Sequence, residues 1–203
     1  MKQVAPYRTR PMKPGDISAV IAIDQQSFPS PWPALAFSYE LRQPHSHYYV
    51  LLKPTVNEPT AREPRWRRWL DRILDPLKES PVIGYVGFRS QGRPPSAHIS
   101  TLAVHPDWRG KGLGELLLLM ALEQSLKLEV GTVSLEVRAS NQVAQRLYRK
   151  YGFQLKCVRR GYYRDGENAW LMEVEMHRSA YRARLTHLRQ VLKGRIHQSV
   201  EIR

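Results

Sequence analysis

The sequence predicts an α/β domain built on a mixed sheet with helices on its faces. Three observations carry this. Ile99–Val104 is an unbroken β-prone run, Leu113–Leu126 is a strongly apolar helical run, and Val133, Leu135 and Val137 then alternate with Ser134, Glu136 and Arg138. Two strands separated by a helix pair parallel, through a right-handed crossover. On either side of this unit lie runs that read as antiparallel neighbours, His47–Leu52 with Val82–Arg89 and Gln154–Val158 with Ala169–Met176. A parallel centre with antiparallel flanks is a mixed sheet.

A chain of 203 residues suits one domain with a proper core. Lys and Arg number 32 against 18 Asp and Glu, a net charge of +14. Such an excess favours acidic partners (a polyanionic cofactor, RNA or an anionic membrane), or only solubilises the surface. Cys157 is the single cysteine, so no internal disulfide forms, and its place in a strand suggests a buried, inert thiol. No apolar run approaches the ~20 residues that span a bilayer. The polar, Pro-containing N-terminus lacks the apolar segment of a signal peptide, which predicts a cytoplasmic location.

The elements follow in order. A short strand is expected within residues 7–13. Pro14-Gly15-Asp16 is a turn, with Asp16 as N-cap of a helix over 16–27 that buries Ile17, Val20, Ile21 and Phe28. Pro29, Pro31 and Pro33 break it, and Ala34–Arg42 forms a second helix. Residues 53–81 separate two strands that should be joined by a hairpin, so they form an insertion. Its first half is polar and Pro-rich. Its second half places Trp66, Trp69, Leu70, Ile73, Leu74 and Leu77 on one face of a helix over 64–78. That stripe either packs on the domain or meets a partner or membrane through Trp66-Arg67-Arg68-Trp69. Ser140 or Asn141 caps a later helix whose inner face is Ala144, Leu147, Tyr148 and Tyr151, and Gly152 ends it.

Between Val104 and the apolar helix stands Arg109-Gly110-Lys111-Gly112-Leu113-Gly114. Glycines let backbone N–H groups approach a ligand, the helix aims its positive end at the same place, and two cations flank it. This could be a pyrophosphate cradle or a plain strand-to-helix turn. The spacing is neither a P-loop nor a dinucleotide fingerprint.

The loop resembles the R/Q-x-x-G-x-G/A loop of the GNAT acyltransferase superfamily. Leu135-Glu136-Val137-Arg138-Ala139-Ser140-Asn141, Leu147-Tyr148 and Tyr151-Gly152-Phe153 are similar to its ribosomal-protein-alanine N-acetyltransferase branch, as are Phe28-x-x-Pro31-Trp32 and Arg159-Arg160-Gly161-Tyr162-Tyr163. The resemblance covers residues 8–52 and 82–176. It implies the GNAT fold, with splayed parallel strands in the mixed sheet, and acetyl-CoA as co-substrate. It also implies Glu136 as proton acceptor and Tyr148 as proton donor. Cofactor contacts fall by the same resemblance on Leu102, Ala103, Val104, Arg109, Gly110, Lys111, Gly112, Leu113, Gly114, Glu115 and Asn141. Phe28, Trp32, Tyr162 and Tyr163 border the acceptor. The implied reaction is acetylation of a protein N-terminus, the N-terminal alanine of a small-subunit ribosomal protein in that branch. Other N-termini, lysines or small amines are alternatives, and a non-catalytic acetyl-CoA- and RNA-binding module is another. Three positions depart from the pattern: Pro33 replaces a Ser, and Gly161 and Asn168 stand where relatives usually carry Asn and Asp.

The residues themselves fit such chemistry. An α-amine of pKa ~8 loses its proton cheaply near neutrality. A carboxylate on a strand can accept it, a backbone N–H near Val104 can hold the oxyanion, and a tyrosine can protonate the leaving thiolate. No His/Cys cluster has metal-ligand spacing. His98 and His105 read as strand-end or core histidines.

Residues 1–176 form the predicted acetyltransferase domain, and 177–203 an appended basic helix. Tyr181, Leu185, Leu188 and Leu192 share one face of a helix ending near Gly194, and seven Lys and Arg oppose one Glu in this tail. It is expected to pack on the inserted helix, with ribosomal RNA or an anionic membrane as alternative partners.

Overall fold

The computed structural model describes residues 2–4, 7–54, 81–176 and 179–201. An eight-stranded sheet runs through it: β1 (Lys2–Val4), β2 (Tyr7–Pro11), β3 (Ser46–Leu52), β4 (Val82–Gln91), β5 (Ser96–Val104), β6 (Thr132–Arg138), β7 (Gln154–Arg159) and β8 (Ala169–Glu175). The spatial order is β1-β2-β3-β4-β5-β6-β8-β7. All neighbours are antiparallel except β5 and β6, as the strand–helix–strand pattern requires. The inserted segment leaves and returns at adjacent points, since Lys53 N–H donates to Pro81 O at 2.7 Å. The helix expected over 64–78 lies outside the described residues.

One sheet face carries α1 (Ile17–Gln25) and α2 (Ala34–Glu40). Val20, Ile23 and Phe37 pack there on Tyr48, Val50, Val82, Tyr85 and Ala103. Asp16 does not cap α1 with its side chain. Its carboxylate accepts from Lys13 N–H at 2.8 Å and pairs with Arg10 on β2, fastening the helix entry to the sheet.

The other face carries α3 (Leu113–Lys127) and α4 (Gln142–Lys150). Helix α3 has no polar stripe, and Leu116, Leu117, Leu118 and Leu119 are all buried. A helix apolar on every side needs cover on every side. The sheet supplies one cover. The other is α5 (Ser179–Glu201), which runs through Gly194 rather than stopping there. Tyr181, Leu185, Leu192 and Ile196 of α5 join the same core as α3. The tail's apolar stripe is therefore buried on the domain itself.

Cys157 is exposed, not buried. It lies on the edge strand β7, whose six residues are all exposed. Strand periodicity does not reveal whether a face is covered.

Gly87 on β4 sits opposite Tyr48 on β3, and a Cβ at 87 would overlap the Tyr48 ring. Gly87→Ala should therefore lower stability by about 1–3 kcal/mol, the usual cost of overpacking. In a Tyr48→Ala background the added cost of Gly87→Ala should nearly vanish, because the two sites share one volume. Equal costs in both backgrounds, measured by urea unfolding, would refute this packing.

Candidate active site

The site begins with an irregularity in one strand. The β4–β5 register shifts between Gly87 and Phe88, whose partners are Thr101 and Ile99, so Ser100 is an extra residue on β5. Such a bulge reverses the alternation of side chains and bends the strand. Ala97 and Ile99 face α3 before it, and Leu102 and Val104 face α3 after it. Pairing of β5 with β6 ends at the same level, with Ile99 opposite Leu135. Beyond that point the two parallel strands separate.

The separation leaves backbone groups of β5 turned toward a gap. His105 N–H donates to Ile83 O at 2.9 Å, so by antiparallel alternation Ala103 bonds to Tyr85 while Leu102 and Val104 turn away from β4. Of the three backbone contacts expected at 102–104, two face the gap and Ala103 does not. The Val104 carbonyl accepts from Arg109 Nε at 3.0 Å.

The Gly-rich turn closes one end of the gap. Gly110 and Gly112 have φ of 77° and 75°, a left-handed conformation that favours glycine. Leu116 N–H makes the first bond of α3, to Gly112 O at 3.0 Å, so the N–H groups of Leu113, Gly114 and Glu115 are those a helix leaves for a ligand. Gly114 is not sterically required, since a Cβ there would make only ordinary contact with Val104 and Leu102. The two cations brace the turn itself. Arg109 also donates to Ser27 Oγ at 2.9 Å, and Lys111 donates to Asp107 O at 3.0 Å, its ammonium 4.6 Å from the Trp108 ring centroid. The Glu115 side chain turns into the protein, to Lys150, Tyr151 and Arg195. Asn141 caps α4, its Oδ1 accepting from Ala144 N–H at 3.0 Å, which leaves its NH₂ for a ligand.

Glu136 lies on β6 one residue past the last β5 pair. Val133, Leu135 and Val137 face the α3 core, so Glu136 points to the opposite face. There His98 Nε2 is 2.9 Å from one carboxylate oxygen and an Arg159 nitrogen 2.9 Å from the other. His98 Nδ1 meets Ser134 Oγ at 3.0 Å, which suits an Nε2–H tautomer donating to Glu136. Burial pushes the Glu136 carboxyl upward, but the His98 hydrogen bond and the two basic neighbours outweigh it and hold it below its ordinary value.

Tyr148 approaches from the other face of the sheet, in the α3 core with Phe153. Its hydroxyl is pushed up to about 12 by burial and then by Tyr163. Burial pushes the Tyr163 hydroxyl up to about 12 against the opposing charge of Arg138, with Tyr162 and Glu136 among the lesser causes. Arg138 lies 4.0 Å above the Tyr163 ring and binds Asp165 at 2.8 Å and Glu167 at 2.6 Å. The departures Gly161 and Asn168 are each other's partners, Gly161 N–H donating to Asn168 Oδ1 at 2.9 Å.

Beside this lies an open cleft of about 570 Å³, lined by Ser30, Trp32, Leu35, Tyr39, Glu40 and Arg164 among others. Trp32 lines it, as expected. Phe28 instead packs on the core of α1 and α2. Tyr162 is exposed and lies beside Arg159. The loop bearing Trp32 is anchored by Asp24, which accepts from Trp32 N–H at 2.6 Å and from the Tyr85 hydroxyl. Sequence reasoning missed His98, Arg159 and Asp24. His98 was legible only as a strand residue, because its partner Glu136 lies on another strand. Among the described residues, no group of three His, Cys, Asp or Glu could hold a metal ion, and no helix is long and apolar enough to cross a membrane.

The Acetyltransferase (GNAT) family matches residues 17–153. A Bacillus subtilis (strain 168) protein with the provisional name ribosomal protein bS18-alanine N-acetyltransferase is 34% identical over 167 residues, 81% of this chain and 93% of its own. N-alpha-acetyltransferase RimI of Mycobacterium tuberculosis is 33% identical over 145 residues, 70% of this chain and 74% of its own. The solved ribosomal-protein-S18-alanine N-acetyltransferase from Escherichia coli superposes with a TM-score of 0.67 at 24% identity, covering 85% of this chain and 96% of that one. Arabidopsis thaliana NAA60 in complex with acetyl-CoA superposes with a TM-score of 0.67 at 18% identity, over 85% and 99%. These two structures share the fold. The left-handed glycine turn, the parted strands and the family match lead to one conclusion: the chain belongs to the GNAT acetyltransferase family and is an N-acetyltransferase that takes its acetyl group from acetyl-CoA.

Proposed function

We propose that the acceptor is the N-terminal alanine of a small-subunit ribosomal protein, acetylated by direct transfer with Glu136 as general base and Tyr148 as general acid. The observation that carries this reading is the placement of Glu136 and Tyr148 on opposite faces of the sheet, where β5 and β6 part. Acetyl-CoA enters along the backbone of Leu102 and Val104 that faces the gap, with its pyrophosphate on the turn of Arg109–Gly114 and the first N–H groups of α3. Asn141 supplies a further contact. The acceptor comes from the cleft at Trp32, near Tyr162 and Tyr163. The chain's similarity to the B. subtilis and M. tuberculosis proteins supports a protein N-terminus as substrate. A ribosomal acceptor would place the enzyme in the cytoplasm, and the basic outer face of α5 would aid its encounter with a ribosomal particle.

The amine nitrogen attacks the thioester carbon, and the carbonyl electrons move to oxygen, held by the Val104 N–H. Glu136 takes the proton from the new ammonium centre. The C–S bond then breaks, and Tyr148 donates a proton to the departing thiolate. Magnitudes sharpen the roles. A carboxylate held low by His98 and Arg159 is a weak base, so it acts on the acidified nitrogen of the intermediate and not on the free ammonium. Free amine comes from its own equilibrium, about a tenth of the total at pH 7. A phenol at about 12 keeps its proton throughout the working range and is always available as donor.

Glu136→Gln and Tyr148→Phe should each slow kcat by roughly 10²-fold, the lower end for general acid–base groups. Acetyl-CoA binding should stay near normal. Wild-type turnover in both variants refutes the roles. A panel of N-terminal peptides read by mass spectrometry tests the acceptor. Alanine-initiated ribosomal peptides should lead, and a preference for lysine side chains or free polyamines would overturn the assignment.

The pH dependence follows from the same groups. The Glu136 carboxyl is held below its ordinary value, chiefly by the His98 hydrogen bond working against burial, so it is ionised at every pH where amine is available. The acidic limb of kcat/KM should therefore track the acceptor amine, with a midpoint near ~8. No fall should occur below pH ~10, because Tyr148 remains protonated there. A midpoint near 5, or a loss of rate between pH 8 and 9, contradicts this.

A further inference from the structure

The C-terminal helix reaches the cofactor turn. Along α3, from Glu123 back to Glu115, its partners on α5 advance from Arg189 to Arg195, so the two helices run antiparallel. At one end of α5, the Tyr181 hydroxyl donates to Tyr151 O at 2.9 Å and Arg184 to Lys150 O at 2.8 Å. At the other end, Leu192 and Ile196, both buried, lie over Gly112. A Cβ on Gly112 would stand 3.2 Å from Leu192 Cδ1 and 3.8 Å from Ile196 Cγ1.

A second observation is electrostatic. Glu115 occupies the first turn of α3, beside the N–H groups offered to a pyrophosphate. A carboxylate there competes with an anionic ligand for the same helix end. Glu115 is buried and fully engaged: Lys150 Nζ at 2.5 Å and the Tyr151 hydroxyl at 3.0 Å on one oxygen, an Arg195 nitrogen at 2.5 Å on the other. Two cations from two different helices thus offset one carboxylate under the turn. Together with Arg109 and Lys111 they keep the neighbourhood positive toward a ligand with several negative charges.

We propose that α5 is part of the acetyl-CoA site, Arg195 being a positioning residue that neutralises Glu115 while Leu192 and Ile196 back the left-handed turn at Gly112. This deepens the reading of the turn as the pyrophosphate site and rests on it. The helix touches no reacting atom. It acts through Glu115 and Gly112, so its loss should weaken cofactor affinity and leave the chemical step alone.

The test uses the full-length enzyme and its steady-state kinetics with acetyl-CoA varied. Arg195→Gln should raise KM for acetyl-CoA roughly five- to twentyfold at low salt, with kcat unchanged, and the effect should shrink as ionic strength rises. Arg195→Lys should restore most of the affinity. Glu115→Gln in the Arg195→Gln background should also restore it, because the uncompensated charge is gone. Arg189→Gln breaks the ion pair to Glu123 farther along α5 and serves as the structural control: the melting temperature should fall while KM holds. Equal rises in KM for the Arg189 and Arg195 variants would reduce α5 to a general stabiliser and overturn the inference. Gly112→Asp separates the two readings by calorimetry. If it abolishes acetyl-CoA binding while Arg195→Gln keeps the wild-type KM, the inference alone falls. If it leaves binding intact in a folded protein, the assignment of the turn falls and the inference with it.

Discussion

Helix α3 must be buried on all sides, and much of the architecture answers that requirement. Its leucines at 116–119 project in every direction around the axis, so one sheet face cannot cover them. The sheet covers one side, and side chains of α4 and α5 join the same core. Each fully buried aliphatic side chain contributes roughly 1.5–3 kcal/mol, so the α3–α5 contact outweighs any single surface ion pair. In the proposed cofactor site the same helix presents its N-terminus to the pyrophosphate. Its rigidity is thus what fixes the turn of Arg109–Gly114 in space, and α5 belongs to that support.

The second constraint is the extra residue at Ser100. Without it, β5 would keep its alternation, and residues 102 and 104 would not face α3. With it, the strand bends at the level where pairing to β6 ends. Unpaired backbone groups in a sheet interior are costly unless something bonds them. A gap in a sheet therefore suits an extended ligand with its own amides, and in the proposed site the pantetheine arm of acetyl-CoA fills that part.

The acidic residues are deployed sparingly. Asp16 pairs with Arg10, Glu40 with Arg89, Glu115 with Lys150 and Arg195, Glu123 with Arg189, and Glu136 with His98 and Arg159. These carboxylates are neutralised by neighbours within the fold, so they do little to offset the basic excess of the chain, a net charge of +14. Around Glu136 the arrangement has a chemical consequence, since two basic neighbours keep the carboxylate ionised at the expense of its basicity.

The sequence by itself determined the kind of domain, the order of its elements, the glycine turn, and the candidacy of Glu136 and Tyr148. These are local properties. Periodicity fixes which face of an element is apolar, and positive φ at Gly110 and Gly112 needs glycine whatever surrounds it. Only the tertiary structure decided which apolar face meets which. The run Leu116–Leu119 already signalled a helix without a wet side, but not that residues 179–201 would cover it. His98 and Arg159 are 38 and 23 residues from Glu136 in the chain, and only strand pairing brings them to its carboxylate. Cys157 became exposed because β7 is an edge strand with nothing packed on it, and edges are set by sheet order. Periodicity is written residue by residue, whereas burial and charge pairing depend on distances across the fold that no local pattern encodes.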